Sequence, residues 1–143
     1  MERDGIVDAL EALVVGAVAV TTLSLAQSGV ELTFAQWRVL MILADAPGGA
    51  TVGEIARRIG SATSPASRLV ARMRDRGMVQ TQKDARDHRA TLVRLSEDGR
   101  AIRDRVLTRR RELLSLAIAP IEPLTPGLRV PLASLAIALG RIE

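Results

Sequence analysis

Thr51-Val52-Gly53-Glu54-Ile55-Ala56-Arg57-Arg58-Ile59-Gly60-Ser61-Ala62-Thr63-Ser64-Pro65-Ala66-Ser67-Arg68-Leu69-Val70-Ala71-Arg72-Met73-Arg74-Asp75-Arg76-Gly77 reads as two helices parted by one glycine, and the rest of the chain takes its meaning from that pair. Thr51 and Glu54 have the spacing of a capping box, in which a hydroxyl and a carboxylate satisfy the free amides of a helix start. Val52, Ile55, Ala56 and Ile59 recur at helical spacing, so a helix to about Ile59 is expected, broken by Gly60. A second helix starts within Ser61 to Ser64 and runs to about Arg76, with Ala66, Leu69, Val70 and Met73 on its inner stripe and Gly77 as its stop. Pro65 fits only near that start, where its missing amide has no intrahelical acceptor to lose.

Advancing ~100° per residue from Ser64 puts Ser67, Arg68, Ala71 and Asp75 on one line, opposite the apolar stripe. A helix entering the major groove of DNA needs short hydroxyls or long arginines near its N-terminus, because bulk there holds the backbone away from base edges. Thr63, Ser64, Ser67 and Arg68 meet that requirement. Arg72, Arg74 and Arg76 flank the face at angles suited to phosphates. The competing reading is a solvated helix face on a protein-interaction module.

Downstream the period changes to two. Val79 to Lys83 and Ala90 to Leu95 read as short strands of a hairpin whose tip is Asp84-Ala85-Arg86-Asp87-His88-Arg89. Two short helices followed by a hairpin with a cationic tip is the winged helix-turn-helix order. Arg86 at the apex can enter a narrow minor groove, with Asp84 and Asp87 holding its guanidinium extended; Arg89 suits a phosphate or one of those two carboxylates. His88 reads as an exposed loop residue, and the competing reading of the whole tip is a hydrophilic turn.

Upstream, Thr33 can cap a helix to Ala44 with Trp37, Leu40, Met41 and Ala44 on one face. Ser96, followed by Glu97 and Asp98, opens a long helix to about Ala119, with Ile102, Val106, Leu113 and Leu116 as candidate buried positions. Thr125-Pro126 can start a last helix to about Leu139, but Pro131 costs an interior hydrogen bond, so that helix kinks or begins later. Ala12 to Val20 is an unbroken apolar run. Between Glu11 and Gln27 the uncharged stretch is shorter than the ~18–20 residues of a membrane span, and its acidic flank (Glu2, Asp4, Asp8, Glu11) has the wrong sign for an export signal. A helix apolar around most of its circumference is buried on more than one side. In so short a chain an intermolecular interface suits it better than a single core position, and a homodimer, cytoplasmic and away from membranes, is expected.

The 143 residues make one domain, expected to divide into a DNA-binding lobe at 31–96 and dimerisation helices at 1–30 and 97–143. Aromatic residues are only 1%, Phe34 and Trp37, so Ala, Leu, Val and Ile must build a mainly α core with a small β-hairpin wing. No cysteine and one histidine leave no thiolate or histidine metal site, and no cofactor is expected. Residues 51–111 carry sixteen basic against seven acidic side chains, a surplus of nine, whereas the whole chain is only +4. Nineteen of the twenty cations are Arg. Double-stranded DNA is the natural partner for that regional charge. No carboxylate pair with a nearby base, phosphate-cradling glycine loop or nucleophile triad emerges, so an enzyme has no support.

Leu32-Thr33-Phe34-Ala35-Gln36-Trp37-Arg38-Val39-Leu40, Val52-Gly53-Glu54-Ile55-Ala56, Ser67 to Val79, and above all Asp84-Ala85-Arg86-Asp87-His88-Arg89 with Leu92-Val93-Arg94-Leu95-Ser96 resemble the MarR (multiple antibiotic resistance regulator) family of winged-helix transcription factors. The resemblance spans nearly the whole chain. It implies an obligate homodimer held by the first and last two helices, a recognition helix at Ser61 to Arg76, Arg86 in the minor groove, and small aromatic or phenolic effectors bound between the dimer base and the lobes. Phe34 and Trp37 can line such a pocket, although for Trp37 a core anchor between the dimer helices and the DNA-binding lobe is the favoured reading. Ala62 stands where a capping Ser or Thr is frequent in the family, and Pro65 and Pro131 are less usual. The expected function is a sequence-specific regulator, a repressor of a near-palindromic operator. The alternative is a non-specific DNA-binding or protein-interaction module on the same scaffold.

Overall fold

A computed structural model describes residues 2–121, 123 and 125–139. Its elements run α1 (Glu2–Gln27), α2 (Phe34–Ala44), β1 (Ala50–Thr51), α3 (Val52–Ile59), α4 (Thr63–Asp75), β2 (Val79–Lys83), β3 (Thr91–Leu95), α5 (Glu97–Ile118), two short 3-10 turns at Ala119–Ile121 and Pro126–Leu128, and α6 (Arg129–Leu139). The mainly helical chain with a small antiparallel sheet is the architecture expected above.

Local chemistry sets most boundaries. Thr33 with Gln36 and Thr51 with Glu54 form reciprocal capping boxes at α2 and α3. At the end of α3, Gly60 takes φ 70°, and the amides of Gly60 and Ser61 donate to the carbonyls of Arg57 and Ala56, closing the helix so that α4 can start three residues later. Pro65 sits third in α4, where it costs no bond. Pro131 likewise falls third in α6, because the helix begins at Arg129 rather than at Thr125.

The sheet has the order β1-β3-β2, with Val79 opposite Leu95 and Lys83 opposite Thr91. β1, only two residues long, pairs Ala50 with Val93 and Thr51 with Leu92, and no sequence period announces it. β3 starts at Thr91, one residue later than predicted, because Ala90 turns its amide back to the Asp87 carbonyl.

The core is built mainly by α2, α3, α4 and the sheet, and Leu25 of α1 and Val106 of α5 join it. Val39, Leu40, Ile55, Ala66, Met73, Val93 and Val106 are fully enclosed, and Ala66, Leu69, Val70 and Met73 form the buried stripe of α4 as expected. α2 is buried on more sides than its predicted face, because Val39, Ile42 and Leu43 are enclosed as well as Trp37 and Leu40. Ser96 joins the lobe to α5: its Oγ accepts from the Gly99 amide at 2.9 Å and donates to the Gly77 carbonyl at 2.5 Å. Gly99 lies directly against the Met78 backbone carbonyl, leaving no room for a Cβ.

Two expectations need correction. Leu116 is 67% exposed in the protomer rather than buried, as α5 runs past the lobe that covers Val106. The apolar N-terminal run belongs to a 26-residue helix, and α1 is the one helix among the described residues long and apolar enough to cross a membrane by length and composition. Its length therefore does not exclude a span. The uncharged stretch after Glu11 is short, but the helix that carries it starts at Glu2. The C-terminal part of α1 packs on α5: Ser24 and Leu25 are buried, and Arg109 Nε donates to Gln27 Oε1 at 2.8 Å.

Candidate nucleic-acid interface

α4 presents Thr63, Ser64, Ser67, Arg68, Arg72 and Arg74 as exposed side chains, opposite the stripe that locks it to the core. Arg68 Nη1 donates to Ser64 Oγ at 3.0 Å, so the guanidinium is drawn back along the helix toward its N-terminus. Arg74 is bound through Nε and Nη2 to Asp75 Oδ1, at 3.1 and 2.9 Å, and this exposed pair adds little stability. Arg76 Nη2 donates to the Glu31 carbonyl at 2.9 Å, which ties the end of α4 to the loop after α1. Among the described residues Arg72, Arg86 and Arg89 have no acidic partner.

The start of α4 differs from its neighbours. Thr33, Thr51 and Ser96 cap α2, α3 and α5 with side-chain oxygens, but Ala62 at the corresponding position of α4 offers none. The amides of Thr63 and Ser64 thus stand at the positive end of the helix dipole without a side-chain cap or an intrahelical acceptor. Ala62→Asp is expected to stabilise the fold by roughly 1 kcal/mol, seen as a higher midpoint in thermal unfolding.

The wing tip is a pair of side-chain-to-backbone turns. Asp84 Oδ1 accepts from the Arg86 amide and Asp87 Oδ1 from the Arg89 amide, each at 2.9 Å. These carboxylates shape the tip, but through the backbone; neither holds the guanidinium of Arg86 or Arg89 as expected from sequence, since the amide two residues on is the nearer donor. Arg86 and Arg89 project into solvent, as does His88. The wing is rooted in β2, and β2 packs against α4.

Phe34 and Trp37 part company. Phe34 is 49% exposed and lines a cavity of about 500 Å3 within the lobe. Trp37 is 3% exposed and does not line that cavity; Arg110 covers its ring, with the guanidinium carbon 4.8 Å from the ring centroid. Sequence pattern correctly allowed the core anchor, and the fold selects it because Trp37 lies on the face of α2 turned toward α5. Arg110 went unnoticed in the sequence. Its Nε and Nη2 are enclosed without an acceptor, and desolvation lowers its pKa, though a guanidinium remains charged. Arg38, also unassigned from sequence, donates through Nη2 to the Arg58 carbonyl at 2.6 Å. Both contacts join residues far apart along the chain, so no local spacing signals them.

Comparison with known proteins now bears on this arrangement. Residues 30–90, which hold α2 to the wing tip, match the family model described as MarR family. Over these residues the chain is similar to the MarR family. RV1404 from Mycobacterium tuberculosis is 27% identical, with a TM-score of 0.81 over 100% of this chain and 97% of that one. A MarR-family transcriptional regulator from Rhodococcus sp. RHA1 is 19% identical, with a TM-score of 0.73 over 98% and 95% of the two chains. BpsR of Bordetella bronchiseptica, whose DNA binding is regulated by 6-hydroxynicotinic acid, is 22% identical, with a TM-score of 0.66 over 95% and 93%. No curated protein matches the sequence. The fold of these structures therefore runs through α1, α5 and α6 as well as through residues 30–90.

Proposed function

We propose that this protein is a homodimeric, sequence-specific MarR-family regulator that binds double-stranded DNA, a repressor of a near-palindromic operator. The observation carrying the reading is the pairing, on one packed unit, of an uncapped helix faced with hydroxyls and arginines and a wing tipped by unpaired Arg86. α4 supplies base contacts through Thr63, Ser64, Ser67 and Arg68 and phosphate contacts through Arg72 and Arg74. Arg86 enters the minor groove, Arg89 binds phosphate, and Asp84 and Asp87 shape the loop between them. The division into a lobe at 31–96 and dimerisation helices at 1–30 and 97–143 is supported by exposed apolar side chains on α1 (Leu13, Val14, Val15, Val18), α5 (Leu116) and α6 (Val130). A second copy covers such a surface better than water or one short chain does. Two-fold symmetry then places half-sites about one helical turn, ~34–36 Å, apart. The function implies a cytoplasmic location, with α1 serving the dimer rather than a membrane. Release by a small aromatic or phenolic effector is supported by the relative regulated by 6-hydroxynicotinic acid.

Duplexes selected from a random pool and measured by fluorescence anisotropy test this reading. Arg68→Ala is expected to weaken the selected duplex roughly ten- to hundredfold while relaxing preference at one position, and Arg86→Ala to weaken duplexes with a narrow minor groove most. Ala62→Asp, despite its added stability, is expected to weaken binding by placing a carboxylate beside phosphate. Binding indifferent to both Arg68→Ala and Arg86→Ala overturns the proposal. Equal affinity for all duplexes, lost uniformly with salt, points instead to the non-specific module.

A further inference from the structure

Within the lobe α4 packs on α3 and β2, and Arg76 ties it across to the segment at 28–33 that joins α1 to α2. At ~100° per residue Arg76 falls beside Leu69 of the buried stripe and away from the line of Ser67, Arg68 and Ala71. Its guanidinium is therefore spent on the Glu31 carbonyl, inside the protein, where the helix wheel had suggested a phosphate. Both ends of this contact are fixed. The Arg76 amide donates to the carbonyls of Arg72 and Arg74 at the close of α4. Gly77, at φ 74°, and Met78 then turn their amides back to the carbonyls of Arg74 and Met73, the paired bonds of a Schellman stop. Glu31 lies between Gly29, whose φ of 71° ends α1, and Thr33, whose amide donates to Gln36 Oε1 at 2.9 Å.

The bond also closes a ring of elements. Arg109 holds Gln27, the last residue of α1, to α5; Ser96 holds the start of α5 to the lobe; Arg76 leads back from α4 to the linker leaving α1. A linker free at its middle has many dihedral settings open to it, and a charged donor on its carbonyl removes most of them. We propose that Arg76 is a positioning residue for DNA binding: through the Glu31 carbonyl it fixes the angle between α4 and α1, and with it the separation of the half-sites that two joined copies read. A tilt of α4 about the end of α1 is applied twice in a symmetric dimer, so a small loosening at each linker spreads the two helices over a wide range of separations. Affinity for one spacing then falls with the population that holds it, and neighbouring spacings are penalised less. The role rests on the dimeric DNA-binding reading proposed above.

Arg76→Met removes the donor at similar length, and Arg76→Lys keeps one. Anisotropy with a selected duplex, and with duplexes one base pair longer or shorter between half-sites (~3.4 Å each way), tests the role. The wild type is expected to lose roughly tenfold or more at either altered spacing. Arg76→Met should bind the selected duplex roughly three- to tenfold more weakly yet lose only about threefold or less on changing the spacing, with an unchanged salt slope and with Arg76→Lys in between. A readout without DNA is open because the chain has no cysteine. Gln80→Cys, exposed on β2, takes one spin label per copy, and pulsed electron resonance reads the distance between labels in the dimer. The distribution is expected to be narrow with Arg76 and broader with Arg76→Met. Spacing preference or label distances unchanged in Arg76→Met, shown folded by circular dichroism, overturn the proposal. Equal weakening at every spacing, with a salt slope lower by about one per lobe, makes Arg76 a phosphate contact and overturns it as well. A wild type that shows no label-to-label distance, or that engages no duplex, overturns the dimeric DNA-binding reading and the role of Arg76 with it.

Discussion

Val14→Glu combined with Leu116→Glu is expected to turn a dimer into a monomer at micromolar concentration, with association weakened at least a thousandfold. Both side chains are large, apolar and more than half exposed in the protomer, Val14 on α1 and Leu116 on α5. In an isolated subunit the substitutions cost almost nothing, because the carboxylates stay in water. In a symmetric dimer each occurs twice and must be desolvated against apolar surface, at roughly 3–5 kcal/mol for an uncompensated buried charge. Sedimentation equilibrium reads the change, and circular dichroism checks that the helices persist. The slope of log K against log salt for DNA should fall toward half, since one lobe rather than two then releases counterions. A double variant that remains dimeric, or a wild-type chain already monomeric, contradicts the proposed assembly.

Gly99→Ala sets two effects against each other. Alanine is favoured over glycine by about 1 kcal/mol in a helix interior and by less in a first turn, where Gly99 lies. At Gly99, however, the added methyl group meets the Met78 carbonyl, backbone that the Ser96 amide holds at 3.2 Å. Overpacking against a fixed carbonyl costs about 3 kcal/mol, so packing wins and the variant is expected to unfold several degrees lower. Gly53→Ala in α3 is the control. Its methyl group meets only Thr51 Oγ1 at 4.0 Å, and the propensity gain should appear as a modest stabilisation. Equal behaviour of the two variants in thermal unfolding excludes this account of how α5 is seated on the lobe.

Both sites show where sequence pattern stops. Helix starts were readable because a cap is local chemistry: Thr33 with Gln36 and Thr51 with Glu54 lie within one turn of each other. The inner stripe of α4 was readable because burial repeats at the helical period. β1 was not, since two residues carry no period and pair with Val93 and Leu92 some forty positions on. The wing carboxylates bond to the amides of Arg86 and Arg89, a partner that sequence does not show because the choice between an arginine amide and its guanidinium depends on turn geometry.

By itself, then, the sequence determined the helix-turn-helix, the hairpin with its arginine tip, the regional positive charge and the glycine stops, all of which rest on interactions among near neighbours in the chain. Tertiary structure alone decided that Trp37 is sealed under Arg110, that Gly99 must stay bare against Met78, and that Arg38 and Arg72 share a cavity with Phe34. These join residues brought together only when separate helices pack. Such contacts depend on the distance and angle between elements, quantities that no spacing along one strand or helix records.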